Sequence, residues 1–70
     1  MKKIQIKDEY IKLDQFLKYV GITGTGGESK NIIKDEYVLV NNEIVTQRGK
    51  KLKSGDIISI VNGDEKYIIE

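Results

Sequence analysis

Cysteine, histidine, proline and tryptophan are all missing from this 70-residue chain, and phenylalanine occurs once. Without cysteine there is neither a disulfide framework nor a thiolate site for a metal, and without histidine the commonest zinc ligand is gone as well. The fold has to stand on packing alone, and no metal or other cofactor is expected. The same absences leave no imidazole or thiol to act as base or nucleophile at neutral pH. The adjacent acids Asp35-Glu36 and Asp64-Glu65 fall at element ends, where solvated carboxylates are the ordinary finding. An enzyme is therefore not expected. With no proline, repeat or low-complexity tract to mark a linker, residues 1–70 read as one domain. Such a short chain buries only about 60% of its unfolded surface, so its core must be efficient. No apolar run approaches the roughly 20 residues of a membrane span. The start, Met1 to Lys7, is basic but lacks the apolar stretch of a signal peptide. A cytoplasmic setting is expected, with no membrane partner.

What is present is charge, unevenly spread. The formal net charge is only +1, but from Ile44 to Gly55 the charged residues are Arg48, Lys50, Lys51 and Lys53, with no acid among them. From Asp56 to Glu70 there are four acids and one base, Lys66. A basic patch is thus offset by an acidic tail, and the small sum conceals it. A basic run of this length is often no more than a solvated loop, so its position in the fold matters.

Hydrophobic spacing outlines the elements. Ile4 and Ile6 alternate with polar residues over Lys2 to Lys7, the period of a half-buried strand. Leu13, Phe16, Leu17 and Val20 stand at i, i+3, i+4 and i+7, which predicts a helix over Lys12 to Val20 closed by Gly21. Thr25 followed by Glu28 has the form of a capping box and predicts a second helix from Gly26 to Asp35. On that helix Ser29, Ile32 and Ile33 share one face, the small Ser29 allowing close approach to the first helix, while Lys30 and Lys34 share an exposed one. After Tyr37 the period becomes alternating, with Val38 and Val40 facing one way and Tyr37 and Leu39 the other. Asn41-Asn42 supplies a turn to a partner strand over Glu43 to Thr46, Gln47 to Lys53 reads as a loop, and strands over Ile57 to Val61 and Glu65 to Ile69 flank the turn Asn62-Gly63-Asp64.

The glycine-rich segment does not fit a nucleotide. Gly21 to Gly26 has the opening spacing of a P-loop, but Gly27 stands where the lysine must be. A dinucleotide fingerprint would need a third glycine where Ser29 stands. Glycines at a helix start do let another backbone approach the free N–H groups, which favour an anion such as a nucleic-acid phosphate. The competing reading is that Gly26 and Gly27 only make the helix entry tight. If the loop carrying Arg48, Lys50, Lys51 and Lys53 packs beside Lys30 and Lys34, six positive charges gather on one side. The tyrosines, Tyr10, Tyr19, Tyr37 and Tyr67, form no stacking platform legible in their spacing, so reading of single strands by stacked bases is not expected.

Several runs together resemble one family. These are Ile11 to Lys18, then Gly21, then Thr25-Gly26-Gly27-Glu28-Ser29-Lys30-Asn31-Ile32-Ile33, then Val38 to Glu43, then Arg48-Gly49-Lys50-Lys51-Leu52-Lys53-Ser54-Gly55-Asp56. In this order they resemble the alpha-L RNA-binding domain, named for ribosomal small-subunit protein four, over about Ile11 to Ile60. The Thr-Gly-Gly-Glu-Ser-Lys and Arg-Gly-Lys-Lys-Leu stretches look most like its stand-alone YaaA-type members. The resemblance implies an α+β fold, two short helices packed on a small, mostly antiparallel sheet. It also implies an RNA-facing surface made by the second helix and the hairpin beyond it. On this chain that surface would comprise Thr25, Gly26, Gly27, Lys30, Asn31 and Lys34, then Asn41, Arg48, Lys50 and Lys51. Gly26 and Glu28 depart from the Arg and Gln that many members carry there, which leaves fewer phosphate contacts at the helix start. The implied partner is structured RNA, ribosomal RNA foremost, held by a monomer, with no DNA; the alternative is a protein-interaction adaptor on the ribosome or another assembly, without catalytic activity.

The helix register makes a direct prediction. Phe16→Ala should cost about 3 to 5 kcal/mol in a denaturant melt, because it empties the middle of the apolar stripe. Lys18→Ala should stay within about 0.5 kcal/mol of the parent. Equal stability of the two variants would refute the register.

Overall fold

The computed structural model describes all residues from Met1 to Glu70. In chain order the elements are β1 (Lys2–Ile4), β2 (Ile11–Lys12), α1 (Leu13–Tyr19), α2 (Gly26–Lys34), β3 (Val38–Val40), β4 (Glu43–Ile44), β5 (Lys51–Leu52), β6 (Ile57–Ile60) and β7 (Lys66–Ile69).

Both helices form where their apolar stripes and end signals put them. Leu13, Phe16 and Leu17 are fully buried on α1, and Ser29 and Ile33 are the buried residues of α2. The expected ends Lys12, Val20 and Asp35 serve as caps. At the end of α1, Gly21 takes φ +83°, its N–H donates to Lys18 O (3.1 Å) and the N–H of Ile22 donates to Leu17 O (2.9 Å). That is the paired bonding of a Schellman stop, made with the residue type that suits it. The end of α2 is built alike but without glycine. Glu36 sits at φ +65°, with its N–H on Ile33 O (3.1 Å) and that of Tyr37 on Ile32 O (3.0 Å).

The main sheet runs β1-β7-β6-β3-β4, antiparallel throughout except for the parallel pair β1 and β7. The expected α+β architecture with a mostly antiparallel sheet is therefore present. Val38 and Val40 of β3, Ile58 of β6, and Tyr67 and Ile69 of β7 join the buried helix residues and Leu52 in one core. At its centre Phe16 meets Tyr67 edge to face, ring centroids 5.9 Å apart. Asn41 and Asn42 take φ +54° and +68°, the left-handed pair of a tight two-residue hairpin that sets Val40 opposite Glu43.

Several boundaries differ from expectation. β1 ends at Ile4 because its partner β7 ends at Ile69, so Gln5 to Lys7 have nothing to pair with. The strands expected over Glu43 to Thr46, Ile57 to Val61 and Glu65 to Ile69 are shorter, Glu43–Ile44, Ile57–Ile60 and Lys66–Ile69. The segment Gln47 to Lys53 is not all loop. Lys51 and Leu52 pair with Lys12 and Ile11 in a second, two-stranded ladder, which seats the side chain of Leu52 in the core.

The non-glycine stop of α2 is open to test. A left-handed L residue costs about 1 to 2 kcal/mol, part of which glycine returns through its greater freedom when unfolded. Glu36→Gly should therefore stabilise the chain by about 0.5 to 1 kcal/mol in a denaturant melt. A destabilised variant would contradict this account of the α2 terminus.

Candidate nucleic-acid interface

Helix α1 begins without a side-chain cap, since Lys12 offers no acceptor. Its first N–H groups are satisfied instead by the basic segment: Leu13 N–H donates to Lys50 O (2.8 Å) and Asp14 N–H to Arg48 O (3.0 Å). The backbone of the turn that carries Arg48 and Lys50 is thereby fixed to the helix, while the Arg48 side chain stays exposed and Lys50 is half-buried. On its other side Asp14 meets α2, because its carbonyl accepts from Ser29 Oγ (3.2 Å). With the Ser29 proton used there, the 2.6 Å contact between Thr23 Oγ1 and Ser29 Oγ is donated by Thr23. All three groups are accounted for, and a fully buried serine becomes the point where the helices meet.

The start of α2 is a capping box. Thr25 Oγ1 accepts from Glu28 N–H (3.1 Å), and Glu28 Oε1 accepts from the N–H groups of Gly24 (2.7 Å) and Thr25 (3.2 Å). The Glu28 carboxylate thus occupies two donors that the glycine loop would otherwise offer an anion. The N–H groups of Gly26 and Gly27 make no hydrogen bond within the chain. Neither glycine has a left-handed φ, a Cβ on Gly26 would meet nothing within 4 Å, and one on Gly27 would only touch Thr25 Oγ1 at 3.8 Å. A tight helix entry does not require them. The space beside them opens outward.

The basic side chains of this region form no ion pair. The single ion pair in the molecule joins Lys2 Nζ to Glu65 at 4.0 Å and involves none of the residues in question. Lys30 and Lys34 are exposed on α2, one turn apart, and Asn31 between them is exposed as well. In the small ladder Lys12 stands directly opposite Lys51, both exposed. Like charges at facing positions repel, and neither lysine is in an ion pair that would relieve them. Lys51 instead lays its ammonium over the ring of Tyr10, 4.8 Å from the centroid.

Through Asp14 the structure draws together two groups named from the sequence: Arg48, Lys50 and Lys51 at the start of α1, and Thr25, Gly26, Gly27 and Lys30 beside Ser29. Lys34 lies in the last turn of α2, one turn further along. Asn41 is employed differently. Its Nδ2 donates to Asp56 Oδ1 (3.0 Å) and its Oδ1 accepts from Ile57 N–H (2.9 Å), so the side chain fastens the hairpin to β6. Asp56 in turn accepts from Lys53 N–H (2.8 Å), which anchors the far end of the basic segment. Sequence reasoning missed Lys12. Its proximity to Lys51 depends on a two-residue ladder that leaves no periodic signal.

The S4 domain family matches residues 4–70, and the chain belongs to that family. It is 42% identical over 57 residues to the probable ribosome maturation protein RlbA of Bacillus subtilis, an alignment covering 81% of this chain and 80% of that one. Its fold is similar to that of Vibrio cholerae Heat Shock Protein 15, a trimeric structure, with a TM-score of 0.68 at 21% identity. That alignment covers 83% of this chain and 58% of the other, so the chain spans little more than half its length. The expectation of a monomer gains no support from this neighbour.

If the two glycines serve an external contact, replacing them leaves the fold intact. The double variant Gly26→Ala, Gly27→Ala should melt at or above the parent temperature, since alanine is favoured over glycine in a helix by roughly 0.5 to 1 kcal/mol. A clear drop in melting temperature would restore the steric explanation.

Proposed function

We propose that this chain is a non-catalytic RNA-binding module of the cytoplasm. It would hold structured RNA, ribosomal RNA foremost, through phosphate contacts from Lys12, Lys30, Lys34, Arg48, Lys50 and Lys51, with Thr25, Gly26, Gly27 and Asn31 presenting neutral donors at the start of α2. The observation that carries the reading is the Lys12–Lys51 pair: two lysines face each other and neither is in an ion pair, next to a turn whose backbone is tied down and whose Arg48 and Lys50 are also unpaired. A surface of this kind is relieved by a polyanion. Membership of the S4 domain family and similarity to a probable ribosome maturation protein support RNA of the ribosome as that polyanion. No helix is long and apolar enough to cross a membrane. Asn41 we assign to positioning, because both ends of its amide are already engaged.

A second reading has its own observation. The sheet face away from the helices carries Leu39 and, directly opposite it, Ile44, which is 51% exposed. A protein partner docking there would make the chain an adaptor. Such binding would depend little on salt.

Titration against ribosomal RNA at several salt concentrations separates the two. With about four phosphate contacts the plot of log affinity against log salt should slope by roughly −3 to −4, and Lys50→Ala, Lys51→Ala should flatten it by between one and two units. Both side chains leave the backbone caps on α1 untouched, and circular dichroism should confirm the fold. An unchanged affinity and slope in the folded variant would remove this face from RNA and favour the adaptor.

A further inference from the structure

The fold does what tyrosine spacing did not reveal: it brings Tyr10 and Tyr19 to one hollow. This cavity, about 320 Å³, lies between the segment joining β1 to β2 and the outer side of α1. Ile6 and Ile11 supply apolar wall, and Tyr10 and Tyr19, residues 39% and 64% exposed, complete the lining. Gln15, one turn before Tyr19 on α1, and Asp8 provide the polar lining.

We propose that this hollow receives one unpaired nucleobase of the RNA held by the basic face. The inference rests on the RNA-binding reading and adds a subsite to it. Three observations favour a base as the occupant. First, the hollow adjoins the cations: Ile11 is followed by Lys12, which faces Lys51, and Lys51 caps the ring of Tyr10 at 4.8 Å. Lys7 also lines it. A nucleotide satisfies that juxtaposition, with its phosphate on the lysines and its base against the tyrosines. Second, the larger hollow on the molecule, about 440 Å³ beside Tyr37, includes the Glu28 carboxylate and no cation, so apolar lining and a tyrosine alone do not produce this pattern. Third, the Gln15 amide both donates and accepts, while the Asp8 carboxylate only accepts. Together they suit guanine best, whose adjacent N1–H and amino group can both donate to one carboxylate, and uracil less, since its imide offers a single N–H.

The tyrosine hydroxyl is secondary here. Tyr19 Oη reaches Gln5 O only at 3.4 Å, a long hydrogen bond, so phenylalanine should replace Tyr19 in stacking. Leucine keeps apolar area without an aromatic face. Affinity for ribosomal RNA is measured across salt for the full chain and for Tyr19→Leu and Tyr19→Phe. Chemical-shift titrations of the isotope-labelled parent follow with guanosine 5′-monophosphate and uridine 5′-monophosphate. Tyr19→Leu should weaken binding by roughly tenfold with an unchanged salt slope, and Tyr19→Phe should stay within about twofold of the parent. Guanosine monophosphate should shift Tyr10, Gln15 and Tyr19, and uridine monophosphate should shift them less. Salt-dependent binding that Tyr19→Leu leaves unaltered, or Phe failing as badly as Leu, would overturn the subsite alone. Failure of the parent to bind ribosomal RNA at all would overturn the reading beneath it, and would turn the hollow over to a protein ligand.

Discussion

Lys12 at the N-cap of α1 offers no side-chain acceptor, and the basic surface is organised by what takes that place. The carbonyls of Arg48 and Lys50 close the helix from one side, and the carbonyl of Asp14 then accepts the Ser29 hydroxyl on the other. A loop from late in the chain, a helix from its start and a helix from its middle are thereby locked at one residue. An orphaned N–H or a buried, unpartnered hydroxyl at this junction would cost about 1 to 3 kcal/mol, a large share of what a domain this small has in reserve. The stability of the fold and the placement of the basic turn are thus the same set of hydrogen bonds.

Electrostatics follow from that anchoring. A free basic loop would spread its charges through solvent, but here the backbone is fixed and the ladder of β2 and β5 sets Lys12 against Lys51. None of these cations is in an ion pair, the sole ion pair lying between Lys2 and Glu65. Repulsion is retained on one face, where a polyanion can relieve it. The Glu28 carboxylate works the other way at the α2 start, taking two loop donors for the capping box and leaving only the Gly26 and Gly27 N–H groups to the outside.

Much of this was legible in the sequence, for physical reasons that can be named. The stripe of Leu13, Phe16 and Leu17 and the Thr25–Glu28 box are local patterns, and both helices form within a residue of where those patterns put them. The Asn41-Asn42 turn was equally local, and both residues take the left-handed φ it implies. What was hidden depends on contacts between distant segments. The two-residue ladder carries no period, so neither the pairing of Lys12 with Lys51 nor the core seat of Leu52 is legible in the sequence. Asn41 is placed on the RNA-facing surface by the resemblance alone, and the engagement of its amide by Asp56 and Ile57 depends on a segment fifteen residues away. Glu36 gave no sign of a left-handed helix stop, because glycine is the residue that announces one. Tyr10 and Tyr19 share a cavity only because α1 turns back along the segment before β2.

The central claim is that one face, assembled around the start of α1, meets RNA. Ultraviolet crosslinking in cells, followed by mass spectrometry of the nucleotide-bearing peptides and sequencing of the attached RNA, tests it most directly. The account predicts ribosomal RNA on peptides that contain Lys12, Gly26 to Lys34, or Arg48 to Lys51. Adducts confined to the outer sheet face around Leu39 and Ile44, or crosslinks to protein with no RNA, would contradict it.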